Sequence, residues 1–109
     1  MEIKRQNGTL SVRGLRDLSA ARAHDFRDEV GAAIAPDLEC IEIDLSATDR
    51  VDCRGVGALV SLYQTANKIN LNGGVTLRLL NPQPPVRQLF ELTRSQHLFE
   101  IVSADSAPK

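Results

Sequence analysis

Apolar and polar residues change period several times along the chain, and each change marks an element. Thr9-Leu10-Ser11-Val12-Arg13 alternates with a period of two, the signature of a strand with one covered face. Asn7-Gly8 precedes it, and this dipeptide suits the tight turn of a hairpin. Met1 to Gln6 is therefore expected to be the first strand, antiparallel to the second, which Gly14 ends. Ser19 then stands before Ala20, Ala23, Phe26, Val30 and Ile34. Their spacings of three and four predict a helix with Ser19 as its cap and Pro36 as its stop. From Cys40 to Leu45, Ile41, Ile43 and Leu45 alternate with Glu42 and Asp44, which predicts another strand.

A second helix is expected to begin around Arg54 or Gly55. It carries Val56, Leu59, Leu62 or Tyr63, Ala66 and Ile69 along one stripe, and Asn72-Gly73-Gly74 follows its end. Val75 to Leu80 predicts the next strand. Asn81-Pro82 reads as an N-cap followed by proline at the first helical position, with Pro84 and Pro85 holding regular helix back to Val86. Leu89, Phe90 and Thr93 continue the inward face. Leu98 to Val102 predicts a short last strand, and Ser103 to Lys109 a frayed polar tail. After the opening hairpin, each helix can serve as a right-handed crossover between parallel strands. The expected fold is α/β, a mixed, mostly parallel sheet of four or five strands with packed helices. Ile41, Ile43, Leu59, Ala66, Leu77 and Phe90 are expected in its core.

A chain of 109 residues holds one domain with a continuous core and is too short for two. Residues 1–109 are therefore read as a single domain. Thirteen Lys and Arg against fourteen Asp and Glu leave a net charge of −1, without the basic excess that nucleic-acid binding calls for. Charge or glycine interrupts every apolar run before it could span a bilayer. Met1-Glu2-Ile3-Lys4-Arg5-Gln6 does not lead into the apolar region of a signal peptide. The expectation is a cytoplasmic protein with no direct membrane insertion, whose Cys40 and Cys53 remain free thiols.

Candidate chemistry gathers at Val51-Asp52-Cys53-Arg54-Gly55-Val56-Gly57, a loop at the carboxyl ends of parallel strands, where open sheets place function. Asp52 can cap the helix that follows by accepting backbone N–H bonds. Arg54 is harder to explain structurally, because a cation in a first turn faces the positive end of the helix dipole. Its guanidinium can instead receive a partner's carboxylate in a two-pronged contact. Gly55 and Gly57 each cost up to about 1 kcal/mol in a helix interior unless close approach requires the missing side chain. There is no G-x-x-x-x-G-K-[ST] phosphate loop and no complete dinucleotide fingerprint. A nucleophilic Cys53 would need a base, and neither His24 nor His97 is placed by the pattern to meet it. Cys40 is expected to be a buried small hydrophobe. Two histidines and two cysteines without close spacing give no metal site, and no cofactor is implied.

Taken together, these residues resemble a STAS domain, the family of bacterial anti-sigma factor antagonists, from the opening hairpin to Phe99. Asp52-Cys53-Arg54-Gly55-Val56-Gly57-Ala58-Leu59 is similar to the family's Asp-Ser-Ser-Gly-(Val/Leu)-(Gly/Ala) segment. Asp44-Leu45-Ser46 resembles its strand-ending Asp-Leu-Ser, and Gly14-Leu15-Arg16-Asp17 its Gly-Glu-Leu-Asp. Leu79-Leu80-Asn81-Pro82 with Val86-Arg87-Gln88-Leu89-Phe90 resembles the entry to the last large helix. In partner-switching members, an anti-sigma factor kinase phosphorylates the second serine, and the phosphorylated antagonist then lets go of that kinase. The resemblance puts Arg54 at that position. Arg54 has no hydroxyl to modify, and its charge is opposite to that of phosphoserine.

Two consequences stand side by side. Arg54 leaves either a constitutive binder whose partner is adapted to its charge, or a diverged STAS module of another assembly. The leading reading is a non-enzymatic, protein-binding regulatory module of the antagonist type. Its partner surface is expected at Asp17, Ser19, Arg50, Asp52, Cys53, Arg54, Gly55, Gly57 and Ser61, with an anti-sigma factor or serine-kinase-like protein as partner. The alternative is a STAS subunit of a lipid-transport ABC system, partnered by a transporter ATPase, or a scaffold module among other STAS proteins of a stress-signalling complex. A small enzyme using Cys53 or Asp52 and a purely structural, self-associating module are the remaining classes.

Overall fold

A computed structural model describes residues 1–70, 74–94 and 98–102. In chain order the elements are β1 (Glu2–Gln6), β2 (Thr9–Arg13), β3 (Asp17–Leu18), α1 (Ala20–Ala33), β4 (Cys40–Asp44), β5 (Arg50–Val51), α2 (Cys53–Ile69), β6 (Thr76–Leu80), α3 (Pro84–Leu92) and β7 (Glu100–Val102). Five of the strands form one sheet in the order β1-β2-β4-β6-β7. β1 runs antiparallel to β2, and the remaining pairs are parallel. The mixed, mostly parallel sheet that the alternation predicted is thus the observed one. The expected tail, 103–109, lies outside the described residues, as do Asn72, Gly73 and His97.

Asn7 and Gly8 turn the hairpin with φ of 50° and 82°, the double left-handed geometry of a type I′ turn. Register then puts Ile3, Val12, Ile43, Leu79 and Ile101 in one row across the sheet. Val12, Ile43 and Leu79 are buried there, together with Leu10, Ile41 and Leu77 on the same face. The opposite face carries Lys4, Ser11, Glu42, Arg78 and Glu100 in a single row. Arg78 donates to Glu42 and to Glu100, each at 2.7 Å, tying β4, β6 and the short edge strand β7 together. One face of the sheet is therefore covered, and the other meets solvent as a polar ladder.

Helices α1 and α2 pack against each other, and Ala23, Phe26, Val30, Val56, Leu59, Leu62 and Ala66 sink their stripes into the same core as the sheet. All six residues assigned to the core from the pattern are buried there. Ile69 is left 38% exposed, so the α2 stripe ends at Ala66. Phe99 meets Tyr63 and Phe90 edge-on, with ring centroids 6.4 and 6.0 Å apart. These contacts clamp the approach to β7 between α2 and α3.

Three expectations need correction. Asn81 is no helix cap: it has φ +53° and donates its N–H to the Val102 carbonyl at 2.7 Å. α3 opens instead at Pro84 after Gln83, with prolines in its first two positions, where no intrahelical N–H is needed. The two prolines thus begin the helix rather than delaying it. Cys40 is only partly buried, on the polar side of the sheet in the row of Thr9 and Thr76, and burial pushes its thiol above the ordinary range. α2 starts at Cys53, next to the start expected around Arg54.

Candidate functional site

Periodicity gave no sign of β3 and β5, two residues each, yet they build the candidate site. Asp17 pairs with Arg50, and Leu18 with Val51. Each of these short strands leads directly into a helix, so the pairing brings the beginnings of α1 and α2 side by side. Thr48, fully buried, donates its hydroxyl to the Leu15 carbonyl at 2.5 Å, and the Asp49 N–H reaches the Arg16 carbonyl at 3.1 Å. These bonds anchor the loop after β4 to the loop after β2.

Asp52 is the hinge pin of this corner. Its Oδ1 accepts the N–H groups of Arg54 and Gly55 at 2.9 and 3.1 Å, and its Oδ2 accepts the N–H of Ala20 at 2.9 Å. One carboxylate therefore caps its own helix and the neighbouring one, satisfying donors that helix starts leave unpaired. Ser19 stands before α1 as expected, but its side chain makes no cap bond. Its N–H goes to Asp17 Oδ1 at 2.8 Å. The Ser19 hydroxyl and N–H hold the Asp17 carboxyl below the ordinary range, with Arg50 and Arg22 adding to the effect. The Asp52 carboxyl is lowered chiefly by the amides of Ala20 and Gly55, then by the amide and charge of Arg54.

A folded-state carboxyl that titrates below its unfolded counterpart stabilises the fold above the unfolded value and loses that contribution as pH falls through the lowered one. Both aspartates depart from 3.8 in this direction. Asp52→Asn, which keeps one acceptor oxygen and removes the charge, is expected to lower Tm by about 5 °C or more at neutral pH. The gap from wild type should close as the pH drops below that ordinary value. Thermal melts across a pH series check this; parallel curves at every pH would mean that the charge of Asp52 is not what matters.

The other site residues divide between surface and interior. Cys53 and Arg54 are exposed in the first turn of α2, Arg50 is exposed on β5, and Asp17 and Ser19 are half-buried beside them. Gly57 is exposed, and a Cβ there would meet nothing within 4 Å. Ser61 is half-buried two turns along α2. Gly55 faces inward: a Cβ on it would lie 1.7 Å from the Leu18 carbonyl oxygen. Its missing side chain lets α2 sit against the chain's own β3. Ala58 is also buried.

As for a base beside Cys53, His24 lies exposed on α1 with its ring nitrogens facing Asp28 and Arg27, at 3.1 Å each. Among the described residues no group of three or more His, Cys, Asp or Glu is placed to hold a metal ion. Nor is any described helix long and apolar enough to cross a membrane. Next to the corner an open cleft of about 420 Å³ runs between the loop at Gly14–Asp17 and α1, lined by Leu15 and Phe26 together with Arg16, Arg22, Asp25 and Glu29. Sequence reasoning passed over Arg16, Arg22 and Thr48. Arg22 had a readable signal, since a cation in a first helical turn is misplaced for the dipole just as Arg54 is.

Architecture and corner together define an α/β domain in which crossover helices cover one sheet face and two of them begin at a shared acidic cap. The chain belongs to the STAS domain family, whose sequence model matches residues 1–106. No curated protein matches it. Among solved structures it is similar to the anti-sigma factor antagonist SpoIIAA of Bacillus in its unphosphorylated form, at 19% identity and TM-score 0.75, covering 97% of this chain and 90% of that one. An anti-sigma factor antagonist from Mycobacterium paratuberculosis matches at 21% identity and TM-score 0.75, over 93% of this chain and 82% of that one. The murine anion transporter Slc26a9, inward-facing, matches at 20% identity and TM-score 0.63, over 85% of this chain but 15% of the transporter. At these identities the likeness to the solved structures is one of fold.

Proposed function

We propose that residues 1–109 act as one protein-binding regulatory module of the anti-sigma factor antagonist type, with no catalysis of its own, working in the cytoplasm. The observation that carries this reading is the Asp52–Gly57 segment at an exposed helix start in a STAS chain. Asp17, Ser19, Arg50, Cys53, Arg54, Gly57 and Ser61 form the partner-facing surface, while Asp52 and Gly55 hold it in shape. The partner is an anti-sigma factor or serine-kinase-like protein. Position 54 stands where the family's switching members carry the phosphorylated serine, so binding here is not released by phosphate at that position.

A second reading is a STAS subunit of a lipid-transport assembly, or a scaffold of a stress-signalling complex. It is favoured by the lack of a hydroxyl at both Cys53 and Arg54, which transporter-type STAS proteins also dispense with. The test is incubation with ATP and an anti-sigma factor kinase, followed by intact-mass analysis. A stable complex without added phosphate is expected, and Arg54→Ser should accept phosphate. Phosphate at Ser19, Ser46, Ser61 or Thr65 would relocate the switch. Absence of any complex, with binding to a transporter ATPase instead, would favour the second reading.

A further inference from the structure

β1 closes the sheet on one side, and no described strand lies beyond it. Every position in it is exposed except Ile3, which packs partly against the core. The two-residue turn at Asn7-Gly8 makes Gln6 and Thr9 the closing pair of the hairpin, and such a pair exchanges both of its backbone bonds. Bonded pairs alternate along an antiparallel ladder, so Lys4 and Glu2 also turn their amides and carbonyls to Ser11 and Arg13 on β2. Ile3 and Arg5 point theirs outward, along an edge to which no described strand is paired. Charge on an edge strand guards it against unwanted pairing. Here the charges oppose every self-pairing but one.

A second copy can add antiparallel to this edge about a two-fold axis, which passes beside Glu2, Ile3, Lys4 or Arg5 and sets that residue opposite itself. Glu2 on Glu2, Lys4 on Lys4 and Arg5 on Arg5 each place like charges face to face, which destabilises a pairing. With Ile3 on Ile3, Glu2 faces Lys4 of the second copy and Lys4 faces its Glu2. Within one chain Lys4 and Glu2 already stand 3.8 Å apart, both well exposed, so the charges at the junction alternate in sign. Arg13 flanks Glu2 from the β2 side, which sets each Glu2 between two cations. On the core face the two half-buried Ile3 side chains meet. We propose that this chain forms a homodimer by pairing β1 edge to edge in the Ile3-on-Ile3 register, continuing the sheet across the axis. Neither Glu2 nor Lys4 belongs to the partner-facing surface proposed above, so the dimer carries two such surfaces. One short strand pair buries less than the interface of a permanent dimer, so association is weak and follows concentration.

Sedimentation equilibrium of the full chain between about 10 μM and about 1 mM reads the association. The average mass is expected to rise from monomer toward dimer over that range. Lys4→Glu sets acid against acid at both crossings and should weaken association about tenfold, since attraction turns to repulsion twice. Glu2→Lys should do the same with cations. The exchange Glu2→Lys/Lys4→Glu puts opposite charges back in register and should recover most of the lost affinity. Thermal melts of dilute samples should not change among these variants, because exposed ion pairs contribute little to folding. Leu92→Lys, at the 76% exposed leucine that ends α3, probes the other exposed apolar site and should leave association as it is. A monomer at every concentration, full association in Lys4→Glu, no recovery in the double exchange, or loss of the dimer in Leu92→Lys would each overturn the proposal.

Discussion

Gly55→Ala is expected to destabilise the protein by about 3 kcal/mol or more, the upper end of what overpacking a core costs. The added Cβ would sit 1.7 Å from the Leu18 carbonyl oxygen and 2.9 Å from its carbon. These are backbone atoms held by the Leu18–Val51 pairing, so no rotamer change relieves the clash. Relief requires α2 to move away from β3, which also pulls the Asp52 carboxylate from the Ala20 amide. Gly57→Ala, two residues on, is the matched control: its Cβ meets nothing. Replacing glycine by alanine in an open helix position should stabilise by about 0.5–1 kcal/mol. Urea unfolding of the two variants checks both signs. Similar midpoints would mean that the close approach of α2 to β3 is not needed.

Arg54→Glu is expected to weaken the physiological complex by about 2–5 kcal/mol, the range for disrupting a desolvated interfacial charge pair. It should hardly change folding. A carboxylate in the first turn gains from the helix dipole by a few tenths to about 1 kcal/mol, while its proximity to Asp52, whose carboxyl now feels the Arg54 charge, works against that gain. The two effects oppose each other at an exposed position. Titration calorimetry with the purified partner, beside thermal melts of both proteins, separates binding from stability. Unchanged affinity would remove Arg54 from the functional surface.

Much of the fold was legible because its signals are local. Alternation in Cys40–Leu45 predicted β4, and the Asn7-Gly8 dipeptide predicted the turn that its positive φ angles now show. The stripes of α1 and α2 named the residues that fill the core. The acidic cap at Asp52 was readable in the same way, since a cap bonds to amides two and three residues ahead. The second half of its role was not. Ala20 lies 32 residues away, and no spacing rule links it to Asp52.

The chain by itself thus determined the order of elements, the covered sheet face, the hairpin, and the family-like segment that places an arginine at an exposed helix start. These depend on residue type and on neighbours within one helical or strand period. Only the tertiary structure decided what that start is joined to. The two-residue pairing of β3 with β5, the sharing of one carboxylate between two helices and the burial of Gly55 against Leu18 all link segments some thirty residues or more apart. Such contacts exist only after α1 and α2 pack together over the sheet. Their partners are selected by distance in space, which periodicity along a chain does not encode.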